Sequence, residues 1–210
     1  MKKIMLVAIL AIASISVNAQ KKGLQGTWFV TSQIGYQQTS TGDVKSTNLT
    51  VLPIIGTFVQ PTLAVGAAIG YVGIKSENGS TTNASTGLFV VEPLVRKYYG
   101  IAGGLYFFGQ LGMPIITGSE SKSELKVSQF GVAASGGFDM VLGKHFTAEL
   151  SYNLANFSVT TLTPKTGNAT TTTDFALAHM ANVEAPYNTA LGGSSPTLTS
   201  PLAFGFKFLF

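Results

Sequence analysis

The sequence lacks cysteine, has few charged residues and contains no second long apolar run. The absence of cysteine excludes disulfides, thiol redox chemistry and Cys-ligated metals. Only 10% of the residues are charged, and the formal net charge of +4 gives no reason to expect a nucleic acid as partner. Beyond the N-terminal segment, every apolar run is interrupted by Gly, Pro or polar residues before it could span a bilayer as a helix. If this chain enters a membrane, it must do so as β-strands.

The N-terminus has the pattern of a secretory signal peptide. Two lysines precede an apolar run from Ile4 to Val17, and small residues follow up to Ala19. A membrane anchor is the alternative, but the run is shorter than the roughly 20 residues that a spanning helix needs, and serines interrupt it. We expect a signal peptide over residues 1–19 and one mature domain over residues 20–210.

Most of the mature chain alternates apolar with small or polar residues, the period of a β-strand. At the C-terminus, phenylalanines occupy every second position from Phe204 to Phe210, while the other face carries small residues and Lys207. Eight segments show this alternation, at residues 26–37, 48–59, 63–75, 87–99, 103–117, 126–141, 145–157 and 200–210. The pattern predicts an all-β fold, an eight-stranded antiparallel up-and-down transmembrane β-barrel whose last strand pairs with its first.

The connections between these segments alternate between long and short. Polar stretches separate segments one and two, three and four, five and six, and seven and eight, whereas the other three connections are tight turns. Bacterial outer-membrane barrels have long external loops and short periplasmic turns. We therefore expect an integral protein of the bacterial outer membrane, surrounded by lipid and with both termini in the periplasm.

Four segments resemble the outer membrane protein beta-barrel domain family, which contains small eight-stranded barrels of the OmpA/OmpX type. They are PIIGTFVQPTLAVGAAIGYVG (53–73), VEPLVRKYYG (91–100), FGVAASGGFDMVLGKHFTAELSYN (130–153) and FGFKFLF (204–210). The resemblance implies a location more than an activity. It also implies that the terminal aromatic, Phe210, is similar to the signal by which the barrel assembly machinery recognises its clients.

The lumen of an eight-stranded barrel is just wide enough for side chains to fill, so we expect a packed polar interior. Five charged residues fall on the inward face near one end of their strands, and charges removed from water need partners. We predict a lumenal ion-pair network of Glu92, Arg96, Asp139, Glu149 and Lys207. A proton or ion relay is the alternative interpretation of the same residues.

The sequence offers little for catalysis. A lipid-modifying barrel of the deacylase kind would need a His-x-Ser pair, but His145 is followed by Phe146 and Thr147. His179 lies in the long fourth connection, where Asp174 or Glu184 could supply a carboxylate. We predict no catalytic, metal or cofactor site. A lipid-modifying enzyme and a narrow conduit for small solutes remain alternatives, and a soluble ligand carrier would need an apolar lumen.

The fourth connection, residues 158–199, is longer than a barrel requires. Long loops in compact folds are usually functional or disordered, so this one either binds an external ligand or covers the barrel mouth. The sequence thus predicts a non-enzymatic, monomeric outer-membrane barrel with a structural or loop-mediated binding role at the cell surface.

Overall fold

The computed structural model describes residues 24–177 and 202–210, which form one antiparallel β-sheet. Its strands are β1 (Trp28–Thr41), β2 (Val44–Gln60), β3 (Leu63–Asn78), β4 (Thr81–Ala102), β5 (Leu105–Gly112), β6 (Ile115–Glu120), β7 (Lys126–Val141), β8 (Phe146–Thr163), β9 (Thr170–Leu177) and β10 (Leu202–Leu209). The predicted signal peptide lies outside the described residues.

The sheet closes into a ring with eight wall positions. Strands β5 and β6 share one position, because both pair with β4 and with β7. Strands β9 and β10 share another along β8, and β10 pairs with β1 to close the ring. The predicted all-β, eight-stranded antiparallel barrel is confirmed. We call the end that holds the chain's last residue and the turn at residues 142–145 the turn end, and the opposite end the loop end.

Two of the connections predicted as long polar loops are strands instead. Strand β1 runs on to Thr41 and β2 begins at Val44, so two residues connect them, and Gly79 and Ser80 join β3 to β4 in the same way. Gly79 has φ +59°, the left-handed conformation that such two-residue turns require. The threonine-rich flanks favour strands, so the hairpins extend beyond the apolar part of the wall.

The predicted strand at residues 103–117 is interrupted at Met113 and Pro114. Proline has no N–H to donate to a neighbouring strand. The Met113 N–H still donates to the Pro93 carbonyl at 3.0 Å, and the Gly131 N–H donates to the Pro114 carbonyl at 2.9 Å. The interruption therefore leaves the wall closed.

Part of the predicted fourth connection also forms strands. Strand β8 continues to Thr163, and β9 returns along it as far as Leu177. The remainder of the predicted connection, from residue 178, lies outside the described residues up to β10.

The outward face of the wall is an apolar belt. Each of the eight wall positions carries large apolar side chains that are exposed, among them Ile34, Ile69, Phe107, Leu150 and Phe206. The described residues contain no helix that is long and apolar enough to cross a membrane.

The lumen contains more apolar side chains than the sequence predicted. A turn-end cluster consists of Phe29, Phe58, Ala64, Tyr98, Phe108 and Leu209. A second cluster, toward the loop end, consists of Leu52, Ala68, Val72, Ile74, Leu88, Val90, Ile116 and Val127. All of these residues are buried, but so are polar and charged residues such as Thr50, Arg96, Thr160 and Lys207, so the interior is mixed where a polar one was expected. Charged residues occur between and beside these clusters.

Candidate functional site

A buried charge cluster links four wall positions of the barrel near the turn end. Arg96 on β4 forms a two-pronged salt bridge with Glu149 on β8, with N–O distances of 2.5 and 3.1 Å. Lys207 on β10 lies 2.9 Å from the same carboxylate and also bonds Asp139 on β7. The structure thus brings together four of the five residues predicted for the lumenal network.

Three further side chains complete the cluster. The Gln110 Oε1 accepts hydrogen bonds from Arg96 at 2.9 and 2.6 Å. The Tyr98 hydroxyl oxygen lies 3.2 Å from the Arg96 guanidinium and 2.9 Å from the Lys207 ammonium. The Phe108 ring lies beneath the guanidinium, 4.1 Å from ring centroid to Cζ. Alternation along β4 and β5 places these residues on the inward face beside Arg96, so the sequence contained the signal that would have found them.

The cluster is suited to holding strands together. Lys207 is 1% exposed and Arg96 is 4% exposed, so both cations have exchanged water for the carboxylates and the tyrosine hydroxyl. Such pairs are strongly destabilised when one partner is removed, because a buried charge is left behind. The relay interpretation stays a prediction, since no property of the described residues tests it.

Glu92 lies apart from the other four predicted residues. It is half-buried on the inward face of β4, and it forms none of the salt bridges between described residues. Its Oε1 lies against the backbone of Gly112, where a Cβ would approach it to 2.2 Å. The predicted five-residue network therefore includes one residue, Glu92, that lies outside the observed cluster.

Phe210 lies where the barrel closes. Its carbonyl accepts a hydrogen bond from the Trp28 N–H at 2.8 Å, and its own N–H donates to the Trp28 carbonyl at 2.9 Å. Next to this pair, the His145 ring nitrogen Nδ1 lies 2.9 Å from the Leu209 carbonyl oxygen, and the ring stacks on Phe208. The second histidine, His179, and its potential partner Glu184 lie outside the described residues.

At the loop end, the β6–β7 and β8–β9 connections enclose an open cleft of about 500 Å³. Its lining residues are Ser119, Glu120, Ser121, Glu124, Lys126, Thr163, Pro164 and Lys165. Lys165 and Glu124 bridge the two connections with an N–O distance of 2.6 Å. The cleft therefore presents both signs of charge to the solvent.

Glu120, the last residue of β6, organises the β6–β7 turn. Its carboxylate accepts hydrogen bonds from the backbone N–H of Lys122 at 3.0 Å and of Ser85 at 3.1 Å, and from both the N–H and the hydroxyl of Ser123. Desolvation alone would raise the pKa of this carboxyl group, but the hydrogen bonds outweigh it and lower the pKa to about 2.

Among solved structures, the chain is similar to the outer membrane protein OprG from Pseudomonas aeruginosa. The TM-score is 0.47 at 13% sequence identity, over 90% of this chain and 98% of that chain. No family model and no curated protein matches the sequence, so the resemblance to small outer-membrane barrels stays a prediction.

Proposed function

We propose that the chain is an integral β-barrel protein of the bacterial outer membrane, without enzymatic activity, with a structural or ligand-recognition role at the cell surface. The observation that carries this proposal is the apolar belt around a closed barrel. Soluble monomers rarely expose contiguous apolar patches of more than a few hundred Å². A belt that surrounds the wall matches the lipid-facing surface of a transmembrane barrel.

The ends of the barrel differ in the way that the two sides of an outer membrane require. At the turn end, which we place in the periplasm, the strands end close to the apolar belt, with Ile101 and Leu142 exposed and Phe210 at the closure of the barrel. The extended hairpins and the Glu120 turn lie at the loop end, which we place outside the cell. This orientation agrees with export by the predicted signal peptide.

Recognition by the loops is supported by the cleft at the loop end. It is open to solvent, it is lined by residues of two connections, and it offers lysine, glutamate, serine and threonine side chains to a polar ligand. The proposed lack of enzymatic activity is supported by His145, which packs beside the closing strand at the turn end.

The membrane placement can be tested with two arginine substitutions on the outward face. Ile69 lies in the apolar belt on β3 and is 49% exposed, whereas Ser40 lies on β1 close to the β1–β2 turn at the loop end. Arginine at the middle of a bilayer costs about 2 to 4 kcal/mol, and near the interface about 0 to 1 kcal/mol. We expect Ile69→Arg to lower the free energy of unfolding in lipid vesicles and Ser40→Arg to leave it nearly unchanged.

A soluble barrel would tolerate both substitutions, because both side chains would face water. In cells, the wild-type protein should be recovered in the outer-membrane fraction and should migrate differently on gels with and without boiling. Recovery as a soluble periplasmic protein, together with equal stability of the two arginine variants, would refute the proposal.

A further inference from the structure

The lumen has an excess of carboxylates. The inward-facing charged residues of the described strands are Arg96 and Lys207 against Glu92, Glu120, Asp139, Glu149 and Asp174. Arg96 binds Glu149, and Lys207 binds Asp139. Glu120 accepts hydrogen bonds from the backbone amides of the β6–β7 turn. Glu92 and Asp174 are therefore left with no basic partner among the described residues.

Asp174 lies on β9, whose exposure alternates so that Asp174 faces inward and Phe175 faces outward. It pairs directly with Ser158 on β8. Thr160, two residues further along the inward face of β8, is its diagonal neighbour and pairs directly with Gln129 on β7. Three adjacent strands thus present a carboxylate, a hydroxyl and an amide on one stretch of the inner wall.

Within the part of the chain that the structure describes, each of these three side chains has a buried oxygen without a partner. Asp174 Oδ2, Thr160 Oγ1 and Gln129 Oε1 are all shielded from solvent and have no hydrogen-bond partner among the described residues. Thr160 is 1% exposed and Gln129 is 8% exposed, so bulk water does not reach them freely. Buried polar atoms without partners are costly in native structures, so three of them on one stretch of the inner wall indicate a place where a bound species would be stabilised.

We propose that Gln129, Thr160 and Asp174 form a lumenal binding site for a small monovalent cation, either an alkali metal ion or the ammonium group of a small solute. Carboxylate, hydroxyl and amide oxygens are the ligands that hard cations prefer. One carboxylate with two neutral oxygens balances a single positive charge. The described residues contain no group of three or more His, Cys, Asp or Glu side chains that could hold a metal ion, which disfavours a multivalent metal.

Glu92 assists the site from a distance. It faces the same lumen from β4 and carries a carboxylate without a basic partner among the described residues. A second negative charge in an enclosed, weakly polar space raises the local concentration of cations. Glu92→Gln should therefore weaken cation binding less than Asp174→Asn does.

The test is urea unfolding of the refolded barrel in detergent micelles at constant ionic strength, with choline chloride replaced stepwise by sodium chloride or methylammonium chloride. The charge of choline is surrounded by methyl groups and carries no N–H donor, so choline serves as the reference salt. A cation that binds only the folded state raises the unfolding midpoint as its concentration increases. We expect the wild-type midpoint to rise in at least one of the two salts, and the salt that raises it identifies an alkali ion or an ammonium group as the ligand.

Asp174→Asn should abolish this rise, while Asp43→Asn, which removes an exposed carboxylate of the β1–β2 turn, should preserve it. In Thr160→Val and Gln129→Leu, the rise of the unfolding midpoint should require at least about tenfold higher cation concentration. These two variants serve as the test if Asp174→Asn does not refold. A wild-type unfolding midpoint that is the same in all three salts would show that these three side-chain oxygens bind water and no cation, and it would overturn the proposal. A rise of equal size in Thr160→Val and in the wild type would also overturn the proposal.

Discussion

Lys207 and Glu149 lie on neighbouring strands, and their charged atoms are 2.9 Å apart, yet Glu149 does not depend on Lys207 alone. The same carboxylate is held at two points by Arg96. Asp139, by contrast, has Lys207 as its salt-bridge partner, and its other oxygen, Oδ1, is buried and makes no hydrogen bond to any described residue. Removing Lys207 therefore leaves Asp139, rather than Glu149, as the unpaired charge.

This asymmetry leads to a prediction for Lys207→Met. Breaking a buried salt bridge from one side costs about 3 to 5 kcal/mol, because the remaining charge has lost its partner. We expect Lys207→Met to lower the free energy of unfolding by about this amount, measured by urea unfolding in lipid vesicles. Adding Asp139→Asn should recover more of the loss than adding Glu149→Gln, because Glu149→Gln also disturbs Arg96.

Lys126→Met provides a matched control, because Lys126 is exposed on the outward side of β7. It should change the unfolding free energy by less than about 1 kcal/mol. Equal stability of Lys207→Met and the wild type would show that the cluster is solvated in the membrane. Better rescue by Glu149→Gln than by Asp139→Asn would contradict the pairing described above.

The faces of the strands could be predicted from the sequence, because alternation is a local property. Alternation placed Arg96, Asp139, Glu149 and Lys207 on the inward face near the same end of their strands, and the structure brings them together. Alternation does not say how the lumen is filled. Apolar residues such as Val72 fill part of the lumen, and which side chains meet across the barrel depends on tertiary packing, not on a local pattern.

Asp174 was predicted as part of a loop because threonine repeats do not show an apolar alternation. Its strand forms only because the edge of β8 extends to Thr163 and offers unpaired backbone groups to the returning chain. The threonines of residues 170–177 favour a strand, but the edge with which that strand pairs is a tertiary feature that no local pattern reports. The candidate cation site could therefore not be found from the sequence.

Glu120 makes stability depend on pH in the acidic range. Its pKa in the folded barrel is about 2, below the ordinary value of 4.5. A lowered pKa stabilises the folded state fully above the ordinary value, and this contribution is lost as the pH falls through 4.5 towards 2. We expect Glu120→Gln to reduce stability by about 2 kcal/mol at pH 7, and the difference from the wild type to shrink between pH 5 and pH 3.

The measurement is the urea midpoint of both proteins across this pH range. Glu124→Gln, in the same connection but exposed and paired only with Lys165, should differ little from the wild type at any pH. A difference between Glu120→Gln and wild type that stays constant down to pH 3 would show that the turn amides do not hold the charged form.

Gly118 marks a point where two strands approach each other closely. A Cβ at this residue would lie 2.0 Å from the carbonyl oxygen of Gly87 on β4, and this backbone atom cannot rotate away. We expect Gly118→Ala to destabilise the barrel by about 1 to 3 kcal/mol. Gly109→Ala is the control, because a Cβ there meets no atom within 4 Å. Thermal unfolding of both variants that gives the same midpoint would contradict the described packing.

Phe210 combines a proposed assembly signal with a structural role, and two variants separate them. In the described residues, β1 pairs with β10 over only Phe29, Val30 and Thr31, so the two hydrogen bonds between Phe210 and Trp28 form a large part of this closure. Deleting Phe210 removes both bonds together with the ring, whereas Phe210→Ala removes only the ring, which lies 6.1 Å from that of Phe208.

If the assembly machinery recognises the Phe210 ring, both variants should insert poorly into the outer membrane of living cells. It also predicts that Phe210→Ala refolds from urea into detergent micelles with nearly wild-type stability, since no assembly factor is present there. The deletion should lose about 1 to 3 kcal/mol in the same micelles, because two backbone hydrogen bonds are missing. Normal insertion of Phe210→Ala in cells would show that the terminal aromatic is not a recognition signal, and that Phe210 contributes only through its backbone.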